Sequence, residues 1–124
     1  MIKAMMAAGA LALCASPAFA GDDVMAGFYG NTAVSTGGTL EVHTHYKPDH
    51  TFDFTASMMV MHLSGKGTWK IDASGQLCRD IENPPAGVTN PSCAPIAAHK
   101  VGDSWTMTQK DGSTRTITLK PGIQ

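Results

Sequence analysis

A strict alternation of side-chain character in one stretch constrains this chain most. Leu40, Val42, Thr44 and Tyr46 alternate with Glu41, His43, His45 and Lys47, and beyond Pro48-Asp49-His50 the apolar Phe52, Phe54 and Ala56 alternate with Thr51, Asp53 and Thr55. A period of two places each set on one face of a pleated strand, and no helix satisfies it. The two runs predict an antiparallel hairpin with one apolar and one wet face.

The same pattern recurs downstream. Gly67-Thr68-Trp69-Lys70-Ile71-Asp72, the turn Ala73-Ser74-Gly75 and Gln76–Ile81 make a second unit; Ser104–Gln109, the turn Lys110-Asp111-Gly112 and Ser113–Lys120 make a third. Residues 21–124 hold thirteen Thr and twelve Gly, and no stretch of ten shows helical spacing of apolar residues. β-branched Thr suits a pleated surface and Gly punctuates it, so the expected fold class is all-β. The order of short strands and short turns predicts an antiparallel up-and-down meander closing into a small barrel of about seven or eight strands.

Two segments break the pattern. Met58–Leu63 is apolar enough to read as a further, fully buried strand. Asn83–Pro95 carries Pro84, Pro85, Pro91 and Pro95, which withhold amide donors, and reads as a loop or extended coil. Ile96–Val101 reads as a short helical turn or an edge strand.

Residues 1–20 are set apart by composition, holding 16 of the 53 hydrophobic residues. Lys3, the apolar run Ala4–Cys14 and the small-x-small site Ala18-Phe19-Ala20 read as a secretory signal ending before Gly21. The expectation is a single domain over residues 21–124 in the periplasm or outside the cell, with no transmembrane segment. That domain carries 8 Lys and Arg against 10 Asp and Glu, a balance that suggests neither a nucleic-acid surface nor a polybasic membrane patch. Its two cysteines, Cys78 and Cys93, bracket the proline-rich loop 83–95, and in an oxidising compartment they predict a disulfide.

Both tryptophans fall on the inward phase, Trp69 with Ile71 and Trp105 with Met107, and Arg115 shares its phase with Ile117 and Leu119. An inward arginine at a barrel end can lay its guanidinium on an indole while donating to backbone carbonyls. The Gly67-Thr68-Trp69 at a strand start, with Arg115 on the last strand, resembles the lipocalin and avidin group of up-and-down barrels. The stretch Gly67–Asp72 followed by Gly75-Gln76-Leu77-Cys78 is also similar to small secreted bacterial proteins of unknown function. The resemblance implies a non-catalytic barrel that takes a small apolar or amphipathic ligand. Tyr46, Phe52, Phe54, Trp69, Trp105, Met107 and Arg115 are the expected lining residues.

Three other readings stand beside this one. His43 and His45 share a strand face near Glu41, His50 and Asp53, and His-x-His can converge on Zn²⁺ or Cu²⁺; the plainer account is a solvated outer face. Met58-Met59-Val60-Met61-His62 offers thioethers suited to Cu(I), against core packing or an apolar rim. A barrel packed solid would be a structural module with no ligand. For catalysis the chain shows no Gly-x-Ser-x-Gly, no phosphate loop and no His-Glu-x-x-His; Asp80 with Glu82 reads as surface charge, and His99 has no evident nucleophile partner. No catalytic residue, cofactor or partner protein is assigned.

Overall fold

The computed structural model describes Gly21–Gln124, so the signal reading of Met1–Ala20 lies outside the described residues. Eight antiparallel strands form one curled sheet, a half-barrel. In chain order they are β1 (Thr32–Gly37), β2 (Leu40–Tyr46), β3 (Thr51–Met58), β4 (Met61–Ile71), β5 (Gln76–Ile81), β6 (Ser92–Pro95), β7 (Ser104–Thr108) and β8 (Thr114–Lys120). The spatial order is β6-β5-β4-β3-β2-β1-β8-β7. Six strands are a plain meander. The β7–β8 hairpin then joins on the far side, with β8 against β1, so residues 96–103 cross from one edge of the sheet to the other.

The registers sort the concave face into rows. Gly37, Leu40, Met58 and Met61 form the uppermost; below it lie Ile117, Ser35, Val42, Ala56 and Leu63; next come Leu119, Ala33, Thr44, Phe54 and Gly65; then Tyr46, Phe52 and Gly67, followed by Trp69. Burial rises down the rows. Met61 is 71% exposed and Leu63 48%, whereas Tyr46, Phe52 and Trp69 are at most 6% exposed. One end of the half-barrel is therefore solid and the other open.

The solid end is filled by a segment that belongs to no strand. A turn of 3₁₀ helix, Ala26–Phe28, places Met25 and Phe28 inside the curl, both essentially without solvent contact. Phe28 meets Tyr46, His99 and Trp105 edge-on. Gly27 is obligatory here, because a Cβ at that position would collide with the His99 carbonyl.

Three hairpin turns share one design. In Lys47–Thr51, Asp72–Gln76 and Gln109–Ser113 the first amide donates to the fifth carbonyl and the fourth amide to the first. The fourth residue has positive φ: His50 at 70°, Gly75 at 84° and Gly112 at 88°. This is a type I turn closed by a left-handed residue, which matches the twist of the strands. Each turn also holds an Asp-x-Ser/Thr in which the carboxylate accepts the amide and hydroxyl two residues on: Asp49 from Thr51, Asp72 from Ser74, Asp111 from Ser113.

Three expectations are corrected. Met58–Leu63 is not a buried strand: Met59 and Val60 form the two-residue tip of the β3–β4 hairpin and are 82% and 90% exposed. The hairpin outreaches its neighbour because β5 ends opposite Gly67, so no described residue covers its tip. The proline-rich segment ends in a strand, since Ser92–Pro95 pairs with β5. Edge position tolerates the amide that Pro95 lacks. Residues 96–101 form neither a helical turn nor a strand.

Cys78 and Cys93 face each other across β5 and β6 and are joined as a disulfide. The bond clamps a four-residue edge strand to the sheet instead of tethering a free lid. Replacing both by Ser is expected to lower the unfolding free energy by about 3 kcal/mol, the loop-entropy value for a 15-residue closure, as read by urea denaturation.

The turn carboxylates predict an acid limb. The Thr51 hydroxyl holds Asp49, the Gln76 amide holds Asp72 and the Ser113 hydroxyl holds Asp111 below their ordinary value of 3.8. A carboxyl depressed in the folded state contributes stability that is complete above its unfolded pKa and is lost as pH falls through its folded one. The denaturation midpoint is expected to stay flat from neutral pH to about pH 5 and to decline below about pH 4. Replacing the three by Asn should flatten that decline.

Candidate site on the open concave face

The upper rows of β2, β3 and β4 present Leu40, Val42, Ala56, Met58, Met61 and Leu63 on the side where the curl is unfilled. Alternation built this surface: the polar partners of the same strands, among them His43, His45, Asp53 and Lys66, stand on the convex side. Phe54 forms the step between the open rows and the packed floor, half-buried and stacked at 6.3 Å on Phe52.

Arg115 borders this surface. Its Nε donates to Ser35 Oγ at 2.6 Å, Nη2 to the carbonyls of Ser35 and Leu40 at 2.9 and 3.1 Å, and Nη1 to the Gly37 carbonyl at 3.4 Å. The bare Cα of Gly37 makes room for it: an added Cβ would sit 3.1 Å from Nη1. Burial lowers its pKa below the ordinary arginine value, which is the cost of desolvating a cation. Among the described residues no carboxylate lies within ion-pair distance of it. Among the described residues the guanidinium is therefore stabilised by backbone carbonyls and a hydroxyl, with its charge unpaired.

The seven expected lining residues divide between floor and mouth. Tyr46, Phe52 and Trp69 are core, and Phe54, Trp105 and Met107 pack against it. Arg115 sits on the row of Met107, its partner in the β7–β8 ladder. The expected arginine–indole stack is absent among the described residues, because histidines occupy the indole faces. His50 lies on Trp69 with centroids 4.2 Å apart, and His99 on Trp105 at 3.4 Å and 3° from parallel. Trp69 also donates Nε1–H to the Lys47 carbonyl at 3.0 Å. Sequence reasoning missed Met25 and Phe28, which take the interior space allotted to a ligand. Their lack of periodicity left no signal.

The convex face holds the expected metal ligands without assembling them. His43 Nε2 bonds Glu41 at 2.6 Å; His45 Nδ1 bonds Asp53 at 2.7 Å while its Nε2 meets the Gln124 carbonyl at 3.1 Å. Both ring nitrogens of His45 are thus engaged. Partial burial would raise the Asp53 carboxyl, but bonds from His45 and Lys47 outweigh it and hold it below its ordinary value. Among the described residues, the His, Cys, Asp or Glu side chains that gather as a metal-sized trio are Asp72, Cys78 and Cys93, and its two sulfurs are spent on the disulfide.

An open depression of about 540 Å³ also lies on the polar phase of β3, β4 and β5, lined by Lys47, Asp53, Lys66, Asp80 and Glu82. Its lysines pair with carboxylates, Lys47 with Asp53 at 3.1 Å and Lys66 with Glu82 at 3.9 Å, so its charges are largely spent on one another. The apolar concave surface is the better candidate.

Comparison with family models, curated proteins and solved structures finds no match to this chain. Among the described residues no helix is long and apolar enough to cross a membrane.

Arg115→Met removes four hydrogen bonds from the β1–β2 turn and is expected to cost about 1–3 kcal/mol in chemical denaturation. Arg115→Lys should recover little of it, since an ammonium cannot span Ser35 and Leu40 as the planar fork does.

Proposed function

We propose that the protein is a non-catalytic binding module of the periplasm or cell exterior that holds a small apolar or amphipathic molecule against the open concave face. The observation that carries this reading is the uncovered apolar surface of Leu40, Val42, Ala56, Met58, Met61 and Leu63 standing directly above a filled floor. Apolar side chains gathered on one side of a small domain mark an interaction surface more often than single scattered ones do. Arg115, at the border of that surface and without a carboxylate partner among the described residues, favours a molecule with an anionic end. The likeness to lipocalin-type barrels, which take ligands at an open mouth, is in keeping with this arrangement.

Two further observations support this reading, one its non-catalytic part and one its location. Each of the five histidines is already bonded to a side chain, His43 to Glu41, His45 to Asp53, His50 to Asp22, His62 to Ser57 and His99 to Asp103. The two cysteines form a disulfide, a bond that persists in oxidising compartments and supports the location.

The test uses anilinonaphthalene sulfonate, an apolar anion whose emission rises in dry surroundings. Saturable binding at one site per chain is expected, with energy transfer from Trp105 or Trp69. Ala56→Glu, which sets a carboxylate in the middle of the apolar rows, should weaken it at least tenfold. Failure to saturate, or binding indifferent to Ala56→Glu in a folded variant, would overturn the reading.

A further inference from the structure

Residues 21–124 contain five methionines, and three of them, Met58, Met59 and Met61, fall within the four residues of the β3–β4 tip. They are 44%, 82% and 71% exposed, which removes core packing as their explanation. Met59 also has φ of 54°, in a two-residue turn where Gly or Asn adopts that conformation more readily. The chain thus keeps an apolar side chain where exposure and backbone strain both oppose it, the kind of outlier that points to function. An apolar rim alone would be served equally by Leu, Ile or Val. What methionine adds is sulfur.

The register sets two of these methionines side by side. Met58 pairs directly with Met61, and directly opposed residues have Cβ atoms about 4.5–5.5 Å apart on the same face. Two unbranched side chains springing from such a pair can place both sulfurs on one ion between them. Met59 follows immediately and can bring a third. His62 is removed from the set: it pairs with Ser57 on the other face of the hairpin, and its Nδ1 lies 3.1 Å from the Ser57 hydroxyl. The ligands are therefore uncharged and soft, and no Asp, Glu, Lys or Arg occurs from Phe54 to Gly65. Such a set selects a soft monovalent ion over Zn²⁺ or Ca²⁺. With Cys78 and Cys93 tied to each other, thioethers are the soft donors that remain to the described residues.

From this we infer that the β3–β4 tip is a Cu(I) site in which Met58 and Met61, with Met59, bind one ion through their thioether sulfurs. The site shares Met58 and Met61 with the concave apolar surface, but Leu in their place keeps the apolar character and removes the sulfur, so loss of Cu(I) is read separately from loss of the apolar face.

The experiment is an anaerobic titration of the purified protein with Cu(I) in competition with bicinchoninate, followed by the chelator's absorbance. One Cu(I) per chain is expected. The double variant Met58→Leu/Met61→Leu should bind at least tenfold more weakly while its circular dichroism and its denaturation midpoint stay those of the parent. His62→Ala should bind Cu(I) as the parent does. Failure of the parent to take Cu(I) from the chelator would overturn the inference, as would undiminished binding by the leucine variant or its loss in His62→Ala alone.

Discussion

A sheet of short strands over 104 described residues curls around more interior than its own side chains can fill, and the structure depends on how that space is closed. Thr, Ser and Gly occupy many concave positions, so the strands supply few large apolar groups. The 3₁₀ turn near the start of the described chain makes up the difference with Met25 and Phe28. Close packing of those two against Tyr46, Phe52, Trp69, Ile117 and Leu119 turns a curled sheet into a core. The same segment also bridges the gap between the sheet's edges. Residues 96–103 cross it, and their His99 lies between Phe28, Trp105 and the bare Cα of Gly27.

Filling one end fixes what the other can do. A lipocalin-like enclosure would need an empty lumen, and here the lower rows are solid. Only the upper concave face is left, wide open, with its β2–β3–β4 side protruding. A molecule held there would be buried on one side and wet on the other, which limits the apolar area it can hide. An uncompensated arginine at the border then matters more, because charge pairing can fix orientation where enclosure cannot. The protruding hairpin is the part of the molecule least constrained by packing, and it is there that the sequence concentrates methionine.

The faces of the strands were legible in the sequence because alternation is a local signal. Tyr46, Phe52, Trp69, Ile117 and Leu119 lie on the side that their phase implied. Depth was not legible. Met58–Leu63 is as apolar as a core strand, and whether it is covered depends on β5 stopping opposite Gly67, a fact of register and not of composition. β1, with Ser35, Thr36 and Gly37 in six residues, lacks the apolar contrast that would announce a strand; it is held by ladders on both sides. The Asp-x-Ser/Thr turns were present in the sequence as a repeated spacing. The stacking of histidine on tryptophan was not, since His50 and Trp69 are brought together by pairing between β3 and β4.

That stacking explains a residue that otherwise looks misplaced. The left-handed position of the three matching turns is Gly in two and His50 in the third, and a non-glycine residue there carries a conformational cost. His50 offsets it with its ring, which covers Trp69 on one side while Nε2 meets Asp22 at 3.0 Å. Its backbone carbonyl accepts the Trp69 amide at 2.8 Å. One side chain therefore ties the β2–β3 turn, the buried indole and the filling segment together. His99 repeats the arrangement on Trp105, with Asp103 in place of Asp22 and Phe28 beside it. Both histidines that flank the floor are consumed in holding the filling segment in place. On the proposed reading, contact with an outside molecule falls to the far end, where the arginine and the thioethers stand.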